Sequence, residues 1–441
     1  VGEGEGSVAQ SHRRTLSRIV LAALLVRLAV AAVCYRDVVK PRRDHWPFGY
    51  ETGRIARAIA LGRGFADPLF GHTGPTAWMT PGYPYLLAGI FKLFGVYSTR
   101  SALAILALQA VFAALTCIPL YLLALHWFGQ QMALWAAWTW ALFPYSIYLS
   151  SDFIWESTLT TLLVTLLFWL TVTRARSRWR GLWVVLGLLW GLTALINPAP
   201  LAVLPLLAGW TVLQRQREGL PWRAGLSVML ALLLLSVVPW ELRNYRLFHR
   251  WIPLRDNFWL EVAVGNDWKT FHGWPDDGHP SSSPEELAAY QRLGEIRYMD
   301  LKRAQALTFI EQHPVVYLRL VLRRVAHTWT GYWNFAPAYL AEEPYDRLNI
   351  LFAAPLTLLC ALGWLVAWRQ GTEGAGLILG MFLVYPVVYY LTHTNLRYRH
   401  PLDPEIVVFA AYGALAIRQA VGVPVWVRAA MESTGFPADE P

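Results

Sequence analysis

Charge is scarce in this chain. Asp, Glu, Lys and Arg make up 15% of its 441 residues, against roughly 25% in a soluble domain. That shortage excludes a soluble globule of this size, because too few polar groups remain to coat it. Cysteine is almost absent. Cys34, Cys117 and Cys360 all lie inside apolar runs, which gives no disulfide framework and no Cys-based metal site. The Gly-x-Ser-x-Gly, His-Glu-x-x-His and Gly-rich phosphate-loop patterns are missing as well. Their nucleophilic, zinc and nucleotide chemistries therefore have no motif here. No internal repeat is visible.

What is present points to a membrane. Hydrophobic residues make up 56% of the chain, and Trp occurs 23 times; Trp and Tyr gather where helices meet the headgroup layer. A net charge of +9 on a soluble protein would suggest nucleic acid. Here the arginines sit at the ends of apolar runs, which reads as topology, and no nucleic-acid partner is expected. The start, with His12, Arg13, Arg14 and Arg18 before Ile19 to Val33, has the form of a signal peptide. Cys34-Tyr35-Arg36 is a poor cleavage site, so an uncleaved first span is expected.

Apolar runs of span length occur at 17–35, 101–125, 132–150, 153–173, 181–196, 199–213, 224–240, 348–368, 375–393 and 402–418. The expected fold is an all-α polytopic membrane bundle of about ten helices. With the N-terminus in the cytoplasm, the short Arg-bearing loops 174–180, 214–223 and 369–374 and the C-terminal tail all fall inside, as the positive-inside rule asks. The parity requires 81–96, which carries Lys92 and two early prolines, to lie on the bilayer as an interfacial helix. Three regions follow: 1–240 with a first outer loop at 36–100, an outer region at 241–347, and 348–441 with a short outer segment at 394–401. Helices are expected at Glu51 to Leu61 and at Glu285 to Phe309.

Candidate chemistry lies in the outer segments. Glu51, among His45, Trp46, Phe48 and Tyr50, is placed as a general base or, alternatively, as a helix-start acid favoured by the dipole. Asp44 is the second candidate. Arg397-Tyr398-Arg399-His400 is a cationic set where the topology disfavours one, and suits either a lipid phosphate or headgroup anchoring. Arg243 and Arg246, with Arg255 further on, form a second cationic set, read either as phosphate-binding or as surface anchoring or local ion pairing. Glu156, near the outer end of a span, is either functional or paired at the interface. Tyr50, Trp78, Tyr83, Asn266 and Tyr398 complete the candidates for substrate contact. His272, Asp276, Asp277 and His279 lack a metal-ligand spacing, so a polar loop is the stronger reading there.

The pattern resembles a family. Tyr50-Glu51-Thr52-Gly53-Arg54-Ile55-Ala56-Arg57, Gly62-Arg63-Gly64-Phe65, Gly74-Pro75-Thr76-Ala77 and Pro81-Gly82-Tyr83-Pro84 look like the first outer loop of bacterial glycosyltransferases of the GT-C fold. These are related to the dolichyl-phosphate-mannose protein mannosyltransferases and the aminoarabinose transferases of lipid A. Arg397 to Pro401 with Asp403-Pro404, and Pro239-Trp240 with Arg243-Asn244-Tyr245, are similar to later segments of that group. The resemblance implies sugar transfer from a polyprenyl-phosphate lipid to a protein, lipid or glycan acceptor. An acid at the position of Glu51 would deprotonate the acceptor for inverting attack, and cations would stabilise the departing phosphate. It implies no organic cofactor. A divalent cation belongs to the oligosaccharyltransferase branch, whose Asp-x-Asp-like pair the first loop lacks, and a cation stays open. The expected location is the inner (plasma) membrane, with both termini cytoplasmic and the site on the periplasmic face. Transport of a lipid-linked sugar is the alternative, and would favour paired repeats with broken helices.

Overall fold

The computed structural model describes residues 2–38, 48–179, 181–271, 278–337, 340 and 346–421. Asp44, His272, Asp276 and Asp277 lie outside the described residues.

The protein is an all-α membrane protein. In chain order the helices are α1 (Gly2–Val38), α2 (Tyr50–Ala60), α3 (Gly82–Phe94), α4 (Thr99–Leu115), α5 (Cys117–Ala141), α6 (Pro144–Asp152), α7 (Ser157–Arg174), α8 (Leu182–Ile196), α9 (Leu204–Arg217) and α10 (Arg223–Phe248). There follow α11 (Phe258–Gly265), α12 (Pro284–Leu293), α13 (Glu295–Gln312), α14 (Pro314–Thr330), α15 (Asp346–Arg369), α16 (Ala375–Val384), α17 (Val387–Leu391), α18 (Leu396–Arg399) and α19 (Asp403–Val421). Among the described residues the only strand-like pairing is an isolated bridge between Ala66 and Pro75.

Among the described residues, five stretches are long and apolar enough to cross a membrane: 13–36, 99–141, 157–174, 223–248 and 348–369. Two shorter apolar stretches are 182–196 and 375–391. Several outward faces are apolar, with Leu235 69% and Leu358 71% exposed. Such faces suit hydrocarbon, where backbone groups must be satisfied within the helix.

Local chemistry accounts for where the expected runs and the observed helices differ. The run 132–150 breaks after Ala141, and Pro144 opens a separate α6, a position that tolerates a missing N–H. Arg27, fully buried on α1, receives the broken end: its guanidinium donates to Trp140 O and Ala141 O at 3.2 and 2.8 Å and to Ser146 Oγ at 3.0 Å. The run 199–213 begins as a 3₁₀ turn before α9. The seventh run, expected to end at 240, continues through Pro239 to Phe248, so Arg243 stands on the helix. The run 375–393 divides at Pro386. The helix expected at 285–309 splits at Gly294 into α12 and α13, with φ 74° at that residue. Helix α14 was not anticipated, because its Arg319, Arg323 and Arg324 interrupt the apolar run. Helix α3 fills the segment expected at 81–96.

The short Arg-bearing loops share one end of the bundle. Arg176 pairs with Glu373 at 2.8 Å and donates to Gln214 Oε1 at 2.9 Å, while Arg215 donates to Ser177 O at 2.9 Å. Helix α7 then runs 18 residues, about 27 Å, from that end to Glu156. Several of the candidate residues lie near that point.

Candidate active site

The segment before α7 is built from a single buried amide. Gln109 on α4 is 1% exposed. Its Oε1 accepts from the Tyr83 hydroxyl at 2.7 Å and from the Trp155 backbone N–H at 3.2 Å. Its Nε2 donates to Phe153 O at 2.6 Å and Ser150 O at 3.3 Å. All its hydrogen-bonding capacity therefore ties α3 to residues 150–155. Gly49, at φ 83°, precedes α2 and touches the same loop: a Cβ there would meet Ile154 O at 2.6 Å. Only glycine combines that conformation with that approach. The contact sets Glu51 beside the segment that carries Glu156.

Glu51 is 9% exposed. The Ser281 hydroxyl donates to its Oε1 at 2.6 Å and accepts from Arg54 Nη1 at 3.3 Å. Arg54 lies over the Phe70 ring at 4.0 Å and the Tyr50 ring at 5.2 Å. The Ser281 N–H donates to His279 Nδ1 at 3.0 Å, and the His279 ring meets Trp78 edge-on. Burial lowers the pKa of His279, with the Glu51 charge opposing.

The cations arrive from two other segments. Arg397 on α18 stacks its guanidinium on the Trp155 ring at 3.7 Å, and its Nη2 donates to the Tyr398 hydroxyl at 3.0 Å. Tyr398 stacks on Tyr389, with centroids 4.4 Å apart and planes at 4°. Arg255 is half-buried, just before α11, and its charge acts on Glu261, Tyr389 and His393. Glu261 on α11 accepts from Asn257 Nδ2 at 2.8 Å and faces His393 Nδ1 at 3.4 Å. Burial pushes the Glu261 carboxyl up to about 7, opposed by Arg255 and Arg397 and reinforced by Glu51. The charge of Glu156 acts on Tyr83, Tyr389 and Arg397. Glu261 thus feels the charges of Glu51, Arg255 and Arg397, Arg397 feels Glu156, and Arg54 reaches Glu51 through Ser281. Such a set can take a proton from a hydroxyl and hold a phosphate.

The other candidates are engaged elsewhere. Arg243 donates to Thr76 O at 2.6 Å and Phe65 O at 2.8 Å and lies over Trp240 at 4.7 Å, so it clamps the first outer loop. Arg399 pairs with Asp403 at 3.0 Å, both nearly unexposed. His400 binds the other Asp403 oxygen at 3.0 Å and stacks on Trp140. These two hold α18 against α19 and the core. Asn266 donates to Val262 O and Leu391 O and accepts from Arg324, which joins α11 to α17 and α14. Trp78 is buried support at 1% exposure, and Tyr83 serves Gln109. Tyr50 flanks Arg54.

Glu261, Ser281, His393 and Gln109 are members that the sequence reading missed. Glu261 carried one signal, a lone acid inside the apolar run Phe258 to Val264. His393 stands one residue before the outer segment expected at 394–401. Among the described residues, no group of three or more His, Cys, Asp or Glu is arranged to hold a metal ion.

Residues 78–240 match the family model described as dolichyl-phosphate-mannose-protein mannosyltransferase. The fold is similar to the Archaeoglobus fulgidus oligosaccharyltransferase solved in complex with Zn and sulfate, with a TM-score of 0.53 and 14% identity over 91% of this chain and 49% of that one. The apo form of that enzyme gives 0.50 and 15% over 96% and 52%. ArnT from Cupriavidus metallidurans bound to undecaprenyl phosphate gives 0.35 and 13% over 90% and 78%. The chain spans about half the length of the oligosaccharyltransferase it matches. No curated protein sequence matches it. The resemblance to the mannosyltransferase-like GT-C group read from the sequence is borne out.

Proposed function

We propose that the protein is a membrane glycosyltransferase that moves a sugar from a polyprenyl-phosphate donor to an acceptor hydroxyl at the outer, periplasmic face of the inner membrane. One observation supports the reading: the charges of Glu51, Arg255 and Arg397, far apart in the chain, all bear on the Glu261 carboxyl. Glu51 is the base. The Ser281 hydroxyl holds one of its oxygens, which leaves the other for the acceptor proton. The acceptor oxygen attacks the anomeric carbon from the face opposite the phosphate, and the sugar inverts. Arg255 and Arg397 take the charge that develops on the departing phosphate, which is commonly the largest catalytic contribution. Tyr398, Tyr389 and Trp155 offer rings to the sugar and the lipid neck, and Glu156 lies on the same wall.

The test is transfer itself. Purified protein in liposomes is incubated with radiolabelled undecaprenyl-phosphate mannose, galactose or aminoarabinose and with extracted envelope acceptors. Label moving to an acceptor from at least one donor is expected. Movement of intact donor across the bilayer without transfer would overturn the reading in favour of transport.

A further inference from the structure

Arg397, Tyr398, His393 and Glu261 form a chain of polar contacts whose direction is set by chemistry. A guanidinium only donates, so Arg397 Nη2 gives a hydrogen to the Tyr398 hydroxyl at 3.0 Å. The hydroxyl's own hydrogen then points to His393 Nε2, 2.7 Å away. His393 therefore carries its hydrogen on Nδ1, which approaches Glu261 Oε2 to 3.4 Å as an electrostatic contact rather than an aligned hydrogen bond. A neutral His393 is consistent with its surroundings. Burial, then Arg397 and Arg324, keep its pKa well below the ordinary histidine value. Each member is fixed from the side. Tyr398 stacks on Tyr389, and Asn257 donates to Glu261. Gly265, at the end of α11, lies so close to Thr392 O that no Cβ would fit between them.

We infer that Tyr398, His393 and Glu261 are positioning residues for the donor phosphate: their chain aims the Arg397 guanidinium, and capture of the phosphate takes up a proton at Glu261. The inference rests on the reading of Arg255 and Arg397 as the phosphate site. Those two cations oppose protonation of Glu261, and Glu51 favours it. A phosphodiester docked on the same cations takes over their field and adds a negative charge beside Glu261. Both changes favour the protonated carboxyl. Burial already pushes the Glu261 carboxyl up to about 7, so the change falls near neutral pH. The sign follows: binding raises the proton affinity of Glu261, so affinity drops as pH rises through neutrality. Charged groups on the neighbouring helices are turned to other partners. Arg303 of α13 lies over Trp259 at 5.3 Å, Lys302 pairs with Glu286 at 2.7 Å, and Arg324 of α14 binds Gly265 O and Asn266.

The probe is undecaprenyl methyl phosphate, a diester that keeps one charge across neutral pH. Its binding to the full chain in nanodiscs is measured by calorimetry at pH 7 in two buffers of different ionisation heat. The wild type is expected to bind with uptake of roughly half a proton. Tyr398→Phe, which keeps the stack and loses both hydrogen bonds, should bind about tenfold more weakly. Glu261→Gln should bind with no proton uptake. Wild-type affinity in Tyr398→Phe together with unchanged uptake in Glu261→Gln, while Arg397→Ala loses binding, would overturn the inference and leave the phosphate site standing. Absence of binding by the wild type itself would overturn both.

Discussion

Replacing Gln109 with leucine is a severe test of how the site is held. Leucine fills a similar volume and suits a membrane helix, so the change removes hydrogen bonds and little else. Three backbone groups and one hydroxyl lose their partner: Trp155 N–H, Phe153 O, Ser150 O and the Tyr83 hydroxyl. Each buried polar group left unsatisfied costs about 1–3 kcal/mol. The bond to Ser150 O is long at 3.3 Å, and some groups will find water or each other. A net loss of about 3 kcal/mol is expected on that basis. Function should suffer through geometry as well, because the Trp155 ring that carries Arg397 hangs on the segment that Gln109 pins. The variant is compared with wild type by thermal unfolding in nanodiscs and by donor titration in the transfer assay. A lower melting temperature with the donor KM raised about tenfold is expected, while the acceptor KM stays near wild type. Wild-type melting and donor KM in Gln109→Leu would refute the claim that this amide organises the site.

Other outcomes follow from the same contacts. Asp403→Asn leaves Arg399 and His400 without their carboxylate; a stability loss of about 3–5 kcal/mol is expected for a broken buried pair, read by thermal unfolding, and near-wild-type melting would refute it. Arg243→Ala frees the carbonyls of Phe65 and Thr76; hydrogen exchange at 65–77 should quicken while diester affinity holds, and lost affinity with unchanged exchange would return Arg243 to the phosphate. The carboxyls of Asp256 and Glu295 are both held above the ordinary range, Asp256 by burial and then by Glu295, and Glu295 by burial. The folded state therefore holds protons that the unfolded chain releases. The stability this gives is complete below the ordinary carboxylate range and is lost as pH rises through the raised values. Exchange at residues 76–78, corrected for intrinsic rate, should be slower at pH 5.5 than at pH 8, and Asp256→Asn should flatten that dependence.

The fold was legible where periodic apolarity and arginine placement speak. Arg176, Arg215 and the loop at 369–374 meet at one end of the bundle, the end at which charge bias grouped them. Helix breaks inside apolar runs were less legible. The stop after Ala141 depends on Arg27 reaching across from α1 to take the freed carbonyls, a contact 114 residues long that no local pattern carries. Among the candidate site residues, Glu51 was visible because acids are scarce beside a first span. Arg397 and Arg399 looked equivalent in the chain. Only the position of Asp403, one helical turn beyond Arg399, separates them: it commits Arg399 to the core and leaves Arg397 on Trp155. Glu261 was hidden because α11 is apolar enough to mask one acid, and its partner His393 arrives 132 positions later.

The most direct measurement of the central claim is single-turnover transfer by Glu51→Gln. Glutamine keeps an oxygen for the Ser281 hydroxyl, so folding and diester affinity should match wild type. Loss of a general base should slow the chemical step by about 10² to 10⁴. Transfer by Glu51→Gln at the wild-type rate, with donor binding intact, would contradict the account.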